Sequence, residues 1–169
     1  MIYSLLQQKE IPVTVSKKVE HIYDEPGDVT IYTVHDASEE KIHVGYVKLM
    51  DTKNGAKVLY IKSQHPKIYK HFGNLADQIE VEHCLQRGIE KPYINSVASR
   101  SAYIKHFLRG KRFINERINV YLDYLTKNLQ KGNKIKAEFI GYQKMFMPLD
   151  MINQIKEKIK LNPLLKGIK

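Results

Sequence analysis

The sequence predicts a mixed α/β (α+β) domain in which a mostly antiparallel central sheet is flanked by helices. Three runs rich in valine, isoleucine and tyrosine alternate partly with a period of two, and short polar segments join them: residues 28–36, 42–51 and 57–64. Such runs are typical of an antiparallel meander. A helix-like segment and another strand-like run then follow, an order in which the new strand pairs parallel to the previous one.

The junctions between these elements carry local signals. The pair Asn54-Gly55 suits a tight hairpin between the second and third strands. The helix predicted over 74–87 ends at Gly88, a good C-terminal stop, and the next strand is predicted over 92–98. Residues 11–18 read either as a strand or as the edge of a helix.

The second half of the chain alternates helices with a late strand. A helix is predicted over 99–110, where Gly110 can close it, and another over 118–132. A late strand over 139–149 ends near Pro148. Residues 150–169 read as a basic amphipathic helix or tail.

The length of 169 residues fits one domain spanning 1–169, with its core over about 28–149. The single cysteine, Cys84, cannot form an internal disulfide, and its place in the apolar pattern of a helix predicts a buried structural thiol. We also find no signal peptide and no apolar run of about 18 residues, so we expect a cytoplasmic protein without membrane association.

The charge is strongly positive, with 28 lysines and arginines against 18 acidic residues and a formal net charge of +10. Such an excess favours polyanionic partners, including nucleic acid and phosphate-rich cofactors, but a lysine-rich solvated surface produces the same count. Charge alone therefore leaves the partner open. The seven histidines are scattered without the close spacing of a zinc site, so we predict no metal.

One stretch carries more specific information, PKIYKHFGNLADQIEVEHCLQRG, residues 66–88. It follows the strand-like run over 57–64 and predicts a basic loop with one glycine and then a helix. The first turn of a helix leaves backbone N–H groups unpaired and carries positive dipole charge, so this arrangement is suited to binding an anion such as phosphate.

With the meander before it and the strand and helix 92–110 after it, this stretch resembles the GNAT superfamily of acyl-CoA-dependent N-acyltransferases. The resemblance covers about residues 28–149. It implies that backbone amides of the loop bind the pyrophosphate of CoA, here Lys70, His71, Phe72, Gly73, Asn74 and Leu75. Lysine stands where the family usually has arginine, and leucine where it usually has a small residue.

The resemblance also assigns the pantetheine arm and the acid. The arm would pair with the backbone of the third predicted strand at Ile61, Lys62 and Ser63. Family members often use a tyrosine to protonate the departing sulfur, but the position that we align with it is Phe107. Tyr103, one helical turn earlier, and His106 are the candidates that replace it.

For the base that removes the amine proton, Asp51 at the end of a predicted strand is a candidate, with His65 and Glu82 as alternatives. The implied function is transfer of an acetyl group from acetyl-CoA to a primary amine of a small molecule or peptide by direct attack. A non-catalytic basic domain that binds RNA or another polyanion is the alternative. A homodimer is compatible with either function.

Overall fold

The computed structural model describes residues 1–24, 26–38, 42–128 and 134–168. The strands are β1 (Ile2–Ser4), β2 (Lys9–Ile11), β3 (Val13–Glu20), β4 (Val29–Asp36), β5 (His43–Thr52), β6 (Gly55–Ser63), β7 (Tyr69–Lys70), β8 (Tyr93–Ala98), β9 (Arg112–Phe113) and β10 (Gln143–Phe146). The helices are α1 (Phe72–Gln86), α2 (Tyr103–Arg109), α3 (Glu116–Asn128) and α4 (Leu149–Leu161). Short 3₁₀ turns span Arg100–Ala102 and Ala137–Phe139.

A seven-stranded sheet forms the centre of the fold, in the order β3-β4-β5-β6-β8-β10-β9. The predicted meander is confirmed, because β4, β5 and β6 pair antiparallel in sequence order. The prediction that 92–98 lies parallel beside the third strand is also confirmed, since β8 pairs parallel to β6. A separate three-stranded sheet has the order β2-β1-β7.

Several elements begin or end at residues other than those predicted. Residues 11–18 are mainly strand, and the first helix begins at Phe72 instead of 74. The segment 99–110 divides into a 3₁₀ turn and α2, and Gly110 ends it with a φ of 113°. The helix predicted over 118–132 begins earlier, at Glu116, and its predicted end lies outside the described residues.

The late strand is shorter than the predicted 139–149. A 3₁₀ turn occupies Ala137–Phe139 before it, and Pro148 after it takes the N-cap position of α4. The hairpin between β5 and β6 also differs in one detail. Thr52 pairs with Gly55, so Lys53 and Asn54 form the two-residue loop, and Gly55 is the first residue of β6.

The main core lies between one face of the large sheet and α1, with α4 packed on the outer side of α1. It extends beyond the predicted 28–149, because Ile2 and Ile11 at one end and Ile155 and Leu165 at the other are buried in it. The basic C-terminal segment is therefore part of the core and not a tail. A second cluster, around Tyr103 and Phe113, joins α2 and α3 to β8 and β10.

The carboxylate of Glu82 fixes this C-terminal segment. Its two oxygens accept hydrogen bonds from the backbone N–H groups of Leu164 and Leu165, at 3.0 and 2.9 Å. Both partners lie far from Glu82 along the chain, so the contact clamps the segment after α4 onto α1. Glu82 is thus a structural anchor, and the alternative that made it a catalytic base is not supported.

Most of the opposite face of the large sheet is open. The side chains that alternate away from the main core are exposed or half-buried along β3, β5, β6 and β8, whereas Val29 and Met50 at one end are buried. We call this surface the open face. The described helices therefore cover one side of the sheet far more than the other. No described helix is long and apolar enough to cross a membrane.

Buried charges tie α1 to the segment that follows α2. The ammonium of Lys111 lies 3.1 Å from a carboxylate oxygen of both Asp77 and Glu80, and all three side chains are at most 3% exposed. Arg109 donates to Asp77 at 2.7 Å. Burial raises the pKa of Glu80 to about 7 against the pull of Lys111. Burial alone would also raise the pKa of Asp77, but Lys111 and Arg109 hold it below its ordinary value.

Lys111→Met should lower the free energy of unfolding by about 3–5 kcal/mol, because it leaves two buried carboxyl groups without their shared cation. The matched control is Lys127→Met, which removes an exposed helical pair with Asp123 and should cost less than about 1 kcal/mol. Urea denaturation of both variants checks this.

The loss should also depend on pH. The folded-state pKa of Glu80 already lies above its unfolded value, so stability from this group falls as pH rises from about 4.5 to 7. Without Lys111 that pKa rises further, so the deficit of Lys111→Met should be larger at pH 8 than at pH 6. A deficit equal to that of Lys127→Met would show that the cluster does not stabilise the fold.

Candidate active site

The candidate active site begins where β6 and β8 separate. Only three residue pairs join these strands, Gly55–Lys57 with Tyr93–Asn95, although β6 continues to Ser63 and β8 to Ala98. Beyond the third pair, the backbone groups of β6 that point toward β8 have no partner strand. Exposed backbone N–H and C=O groups of this kind can pair with an extended ligand as an added strand does.

Two local features produce the separation. Gly55 allows close contact at the joined end, because a Cβ there would lie 2.1 Å from the carbonyl oxygen of Tyr93. Further along, β6 carries a bulge: Leu49 pairs with Val58 and Lys48 with Tyr60, so Leu59 is an extra residue. A bulge bends its strand and increases the local twist.

A cavity of about 440 Å³ occupies the gap between the diverging strands. Its walls come from both strands and from the start of α2, and they include Tyr60, Ile61, Ser96, Ala102, His106 and Tyr142. No carboxylate is among the described residues that line it. The cavity is thus a mainly apolar slot with hydroxyl groups and one imidazole.

His106 is the predicted catalytic side chain that lines this slot. Its Nδ1 lies 2.7 Å from Nη2 of Arg109, which can only donate, so Nδ1 accepts the hydrogen bond. Burial, followed by the cations of Lys111 and Arg109, lowers the pKa of His106 to about 3. The ring is therefore neutral at pH 7 and carries its proton on Nε2.

Arg109 also connects the slot to the start of α1. A Cβ on Gly73 would lie 2.6 Å from the guanidinium, so glycine at this position makes room for Arg109. Gly73 was predicted to be one of the residues whose backbone amides bind pyrophosphate, whereas in the structure the Arg109 guanidinium occupies the space beside it. The predicted pyrophosphate loop and the slot are hence adjacent, joined through Gly73, Arg109 and His106.

The predicted loop enters α1 through an unusual backbone conformation. His71, the residue before the helix, has a φ of 66°, in the left-handed region. Phe72 and Leu75 turn into the main core, and Lys70 is exposed. Leu75 stands where the family has a small residue and is buried in the main core. The N–H groups of Asn74 and Leu75 donate to the carbonyl of His71, at 3.1 and 3.4 Å.

The predicted pantetheine residues lie on the free part of β6. Ile61 lines the slot, while Lys62 is exposed on the open face. The hydroxyl oxygen of Ser63 is buried and has no hydrogen-bond partner in the described part of the chain. A buried polar atom without a partner is costly and marks a place that a ligand or water can satisfy.

Tyr103 does not line the slot. Its ring is fully buried against Phe113, with centroids 4.8 Å apart, and its hydroxyl donates to the carbonyl of Gly141 at 2.5 Å. Burial raises the pKa of Tyr103. The hydroxyl thus holds the segment before β10 in place, and the structure does not support Tyr103 as the proton donor.

Asp51 lies in a different part of the molecule from His106. It pairs with Ala56, at the joined end of β6 and β8, and lines a separate cavity of about 460 Å³. Its carboxylate lies 2.7 Å from Nε2 of His83, whose Nδ1 lies 2.7 Å from the hydroxyl of Tyr32. The two predicted catalytic groups are therefore not brought together, and the geometry does not support Asp51 as the base.

Three residues at this site were not predicted from the sequence: Arg109, Tyr60 and Tyr142. For Arg109 a signal existed, because His106 and Arg109 stand three residues apart on a helix and such residues are neighbours. Tyr60 carried no signal beyond its place in a strand. Tyr142 follows Gly141, whose φ of 107° is typical of a turn. The prediction of one continuous strand over 139–149 did not include this turn.

Comparison with known proteins gives distant structural similarity. The chain is similar to a GNAT-family acetyltransferase from Staphylococcus aureus Mu50 (12% identity, TM-score 0.44, 72% of this chain and 68% of that one). It is also similar to nourseothricin acetyltransferase (13%, 0.46, 81% and 86%) and to a GNAT-family protein from Bacteroides thetaiotaomicron described as an acetyltransferase (14%, 0.32, 86% and 77%). No family model matches the chain, and no curated protein matches its sequence.

These similarities are too distant to carry an argument about activity. The strand order and the β6-α1-β8 connection agree with the order of elements on which the resemblance found in the sequence rests.

NMR of the ¹⁵N-labelled imidazoles should show His106 as the neutral tautomer with hydrogen on Nε2, from pH 8 down to about pH 4. The reason is that desolvation and two nearby cations disfavour its protonation. Assignment is made by comparison with the spectrum of His106→Gln. A midpoint near 6.5 for this ring would contradict the geometry described here.

Proposed function

We propose that the protein is an acetyl-CoA-dependent N-acetyltransferase in which the slot between β6 and β8 holds the thioester. The observation that carries the proposal is the separation of two parallel strands after three residue pairs, with a cavity of about 440 Å³ between them. A cavity of this size lies within the range of small-molecule sites, about 300–1,000 Å³. Its lining on β6 runs from Val58 to Ile61, along the part of the strand beyond the residues paired with β8.

The pantetheine arm would pair with the free backbone edge of β6 from Leu59 to Ser63. Ile61 would contact it through the slot wall, whereas the buried hydroxyl of Ser63 lies outside the described lining of the slot. The pyrophosphate would lie over residues 70–75, where the start of α1 carries positive dipole charge. The N–H groups of Asn74 and Leu75 already donate to the carbonyl of His71, so the dipole and nearby cations would supply most of the attraction. Lys70 and Arg109 add cationic charge there.

In the reaction, an amine nitrogen attacks the thioester carbonyl, a C–N bond forms and the C–S bond breaks. One amine proton is lost and the thiolate gains one. The neutral ring of His106 supports this chemistry as a hydrogen-bond donor through Nε2 to the developing negative charge. With a pKa of about 3, it is not suited to be the base.

No carboxylate lines the described part of the slot, so the acceptor amine loses its proton to water before attack. Solvent can also protonate the departing thiolate, since thiols of this kind have a pKa of roughly 8.5. The acceptor is a primary amine of a small molecule or peptide. We place the reaction in the cytoplasm, where a free thiol such as Cys84 stays reduced; burial raises its pKa to about 12.

Filling the slot should abolish binding and turnover together. Ala102 is half-buried on the slot wall, so Ala102→Trp places an indole in the cavity, whereas Ser101→Trp adds the same group to the exposed position beside it. Titration calorimetry with acetyl-CoA should show at least a tenfold loss of affinity for the first variant and less than a threefold change for the second.

Release of free thiol with a panel of primary amines gives the second readout. The unmodified protein and Ser101→Trp should acetylate at least one amine, at a rate that rises with pH as the amine is deprotonated. If the unmodified protein does not bind acetyl-CoA, or binds it and transfers nothing to any amine, the proposal is wrong.

A further inference from the structure

The open face of the large sheet has a distinctive chemistry. Two aromatic pairs stand on it: Tyr46 with Tyr60, at 5.6 Å between ring centroids and 27° between planes, and Tyr93 with Phe146, at 6.4 Å and 16°. Each pair joins neighbouring strands, β5 with β6 and β8 with β10. The slot between β6 and β8 runs between the two pairs.

Lysines lie on the same face as these rings, although Phe146 also lines a cavity with Arg112, Glu116 and Asp123. The register of the sheet places four of them on the same face: Lys48, Lys57, Lys62 and Lys144. The five strands from β4 to β10 in sheet order present no carboxylate there, and none of the four lysines forms an ion pair with a described carboxylate. At the β3 edge Glu20 is present, paired with Lys18 at 3.1 Å.

The rings are accessible to a partner. Tyr60 is 48% exposed and Tyr93 is 45% exposed, and Val97 between them on the face is 47% exposed. Large aromatic side chains are stabilised by burial, so leaving them in contact with water on an uncovered sheet costs free energy. Their clustering with unpaired cations therefore indicates a surface that a partner covers.

The charge decides what kind of partner fits. A second copy of the chain in a two-fold dimer would place this face against itself, bringing lysines against lysines. An unpaired polynucleotide instead supplies phosphates for the lysines and flat bases for the rings, the combination that single-strand binding surfaces use. We infer that the open face binds single-stranded nucleic acid, with bases stacked on the two aromatic pairs and phosphates on the surrounding lysines.

This inference does not depend on acetyl transfer. Nucleic-acid binding needs only the surface of the sheet. It can therefore be present or absent whether or not the slot accepts acetyl-CoA. Because Tyr60 and Val97 also line the slot, a strand lying across the face would pass its mouth.

The test uses the full chain and a fluorescein-labelled 12-nucleotide oligouridylate, measured by fluorescence anisotropy across salt concentrations. We expect binding that weakens as salt rises, and at least tenfold weaker binding to a 12-base-pair RNA duplex, whose bases cannot stack on the rings. Equal affinity for strand and duplex would mean charge attraction alone and would overturn the inference.

Two sets of variants separate stacking from charge. Tyr46→Ala with Tyr93→Ala should weaken strand binding about tenfold or more, while Tyr124→Ala, which removes a ring 65% exposed on α3, should change it less than twofold. Changing Lys57, Lys62 and Lys144 to glutamine should make the slope of log affinity against log salt concentration shallower, by the equivalent of about two phosphate contacts. The control variant carries the same change to glutamine at Lys127, Lys158 and Lys166, which are exposed elsewhere. Both variants therefore have the same net charge.

Circular dichroism confirms that each variant folds, which the exposed positions favour. If the control lysines weaken binding as much as the open-face lysines, the nucleic acid binds elsewhere and the inference fails. Binding to vesicles of phosphatidylserine and phosphatidylcholine that the oligonucleotide does not compete away would identify a membrane as the partner and would equally overturn it.

Discussion

The partial pairing of β6 and β8 is the constraint on which the rest of the site depends. Each strand is held firmly on its other side, β6 by β5 through eight residue pairs and β8 by β10 through four. Only at Gly55–Lys57 do they meet each other. Because neither strand can shift without breaking its outer pairing, the gap beyond Lys57 is a built feature of the sheet, and the free backbone edge of β6 comes with it.

The buried ionic cluster fixes the elements on either side of that gap. Asp77 and Glu80 on α1 share Lys111, which follows α2, and Arg109 joins Asp77 to His106 at the slot wall. The helix after β6 and the helix after β8 are thereby fixed to each other. The same contacts put cationic charge at the start of α1. Burial first, and then the cations of Lys111 and Arg109, lower the pKa of His106, so the cluster contributes to both the position and the protonation of the site.

The sequence predicted the strands well because valine, isoleucine and tyrosine alternate where one face of a sheet is buried. It could not show that β6 and β8 part after three pairs, since a bulge at Leu59 depends on register across strands. Lys111 has the composition of a surface residue, and only its burial against α1 makes it part of the core. Asp77 and Glu80 did carry a signal: two carboxylates three residues apart within a helix whose neighbouring positions are buried. Tyr103 and Asp51 were predicted to be catalytic from their places in the chain. Their tertiary contacts lie outside the slot.

Amide hydrogen exchange shows whether the free edge of β6 receives the acyl donor. Residue-resolved exchange, with and without acetyl-CoA, should show new protection among the amides of Leu59–Ser63 that do not pair with β5. Amides of Gly55–Lys57, already within the sheet, should change little. Unchanged exchange along Leu59–Ser63, or protection confined to the cavity beside Asp51 and His83, would show that the acyl donor does not bind at this edge.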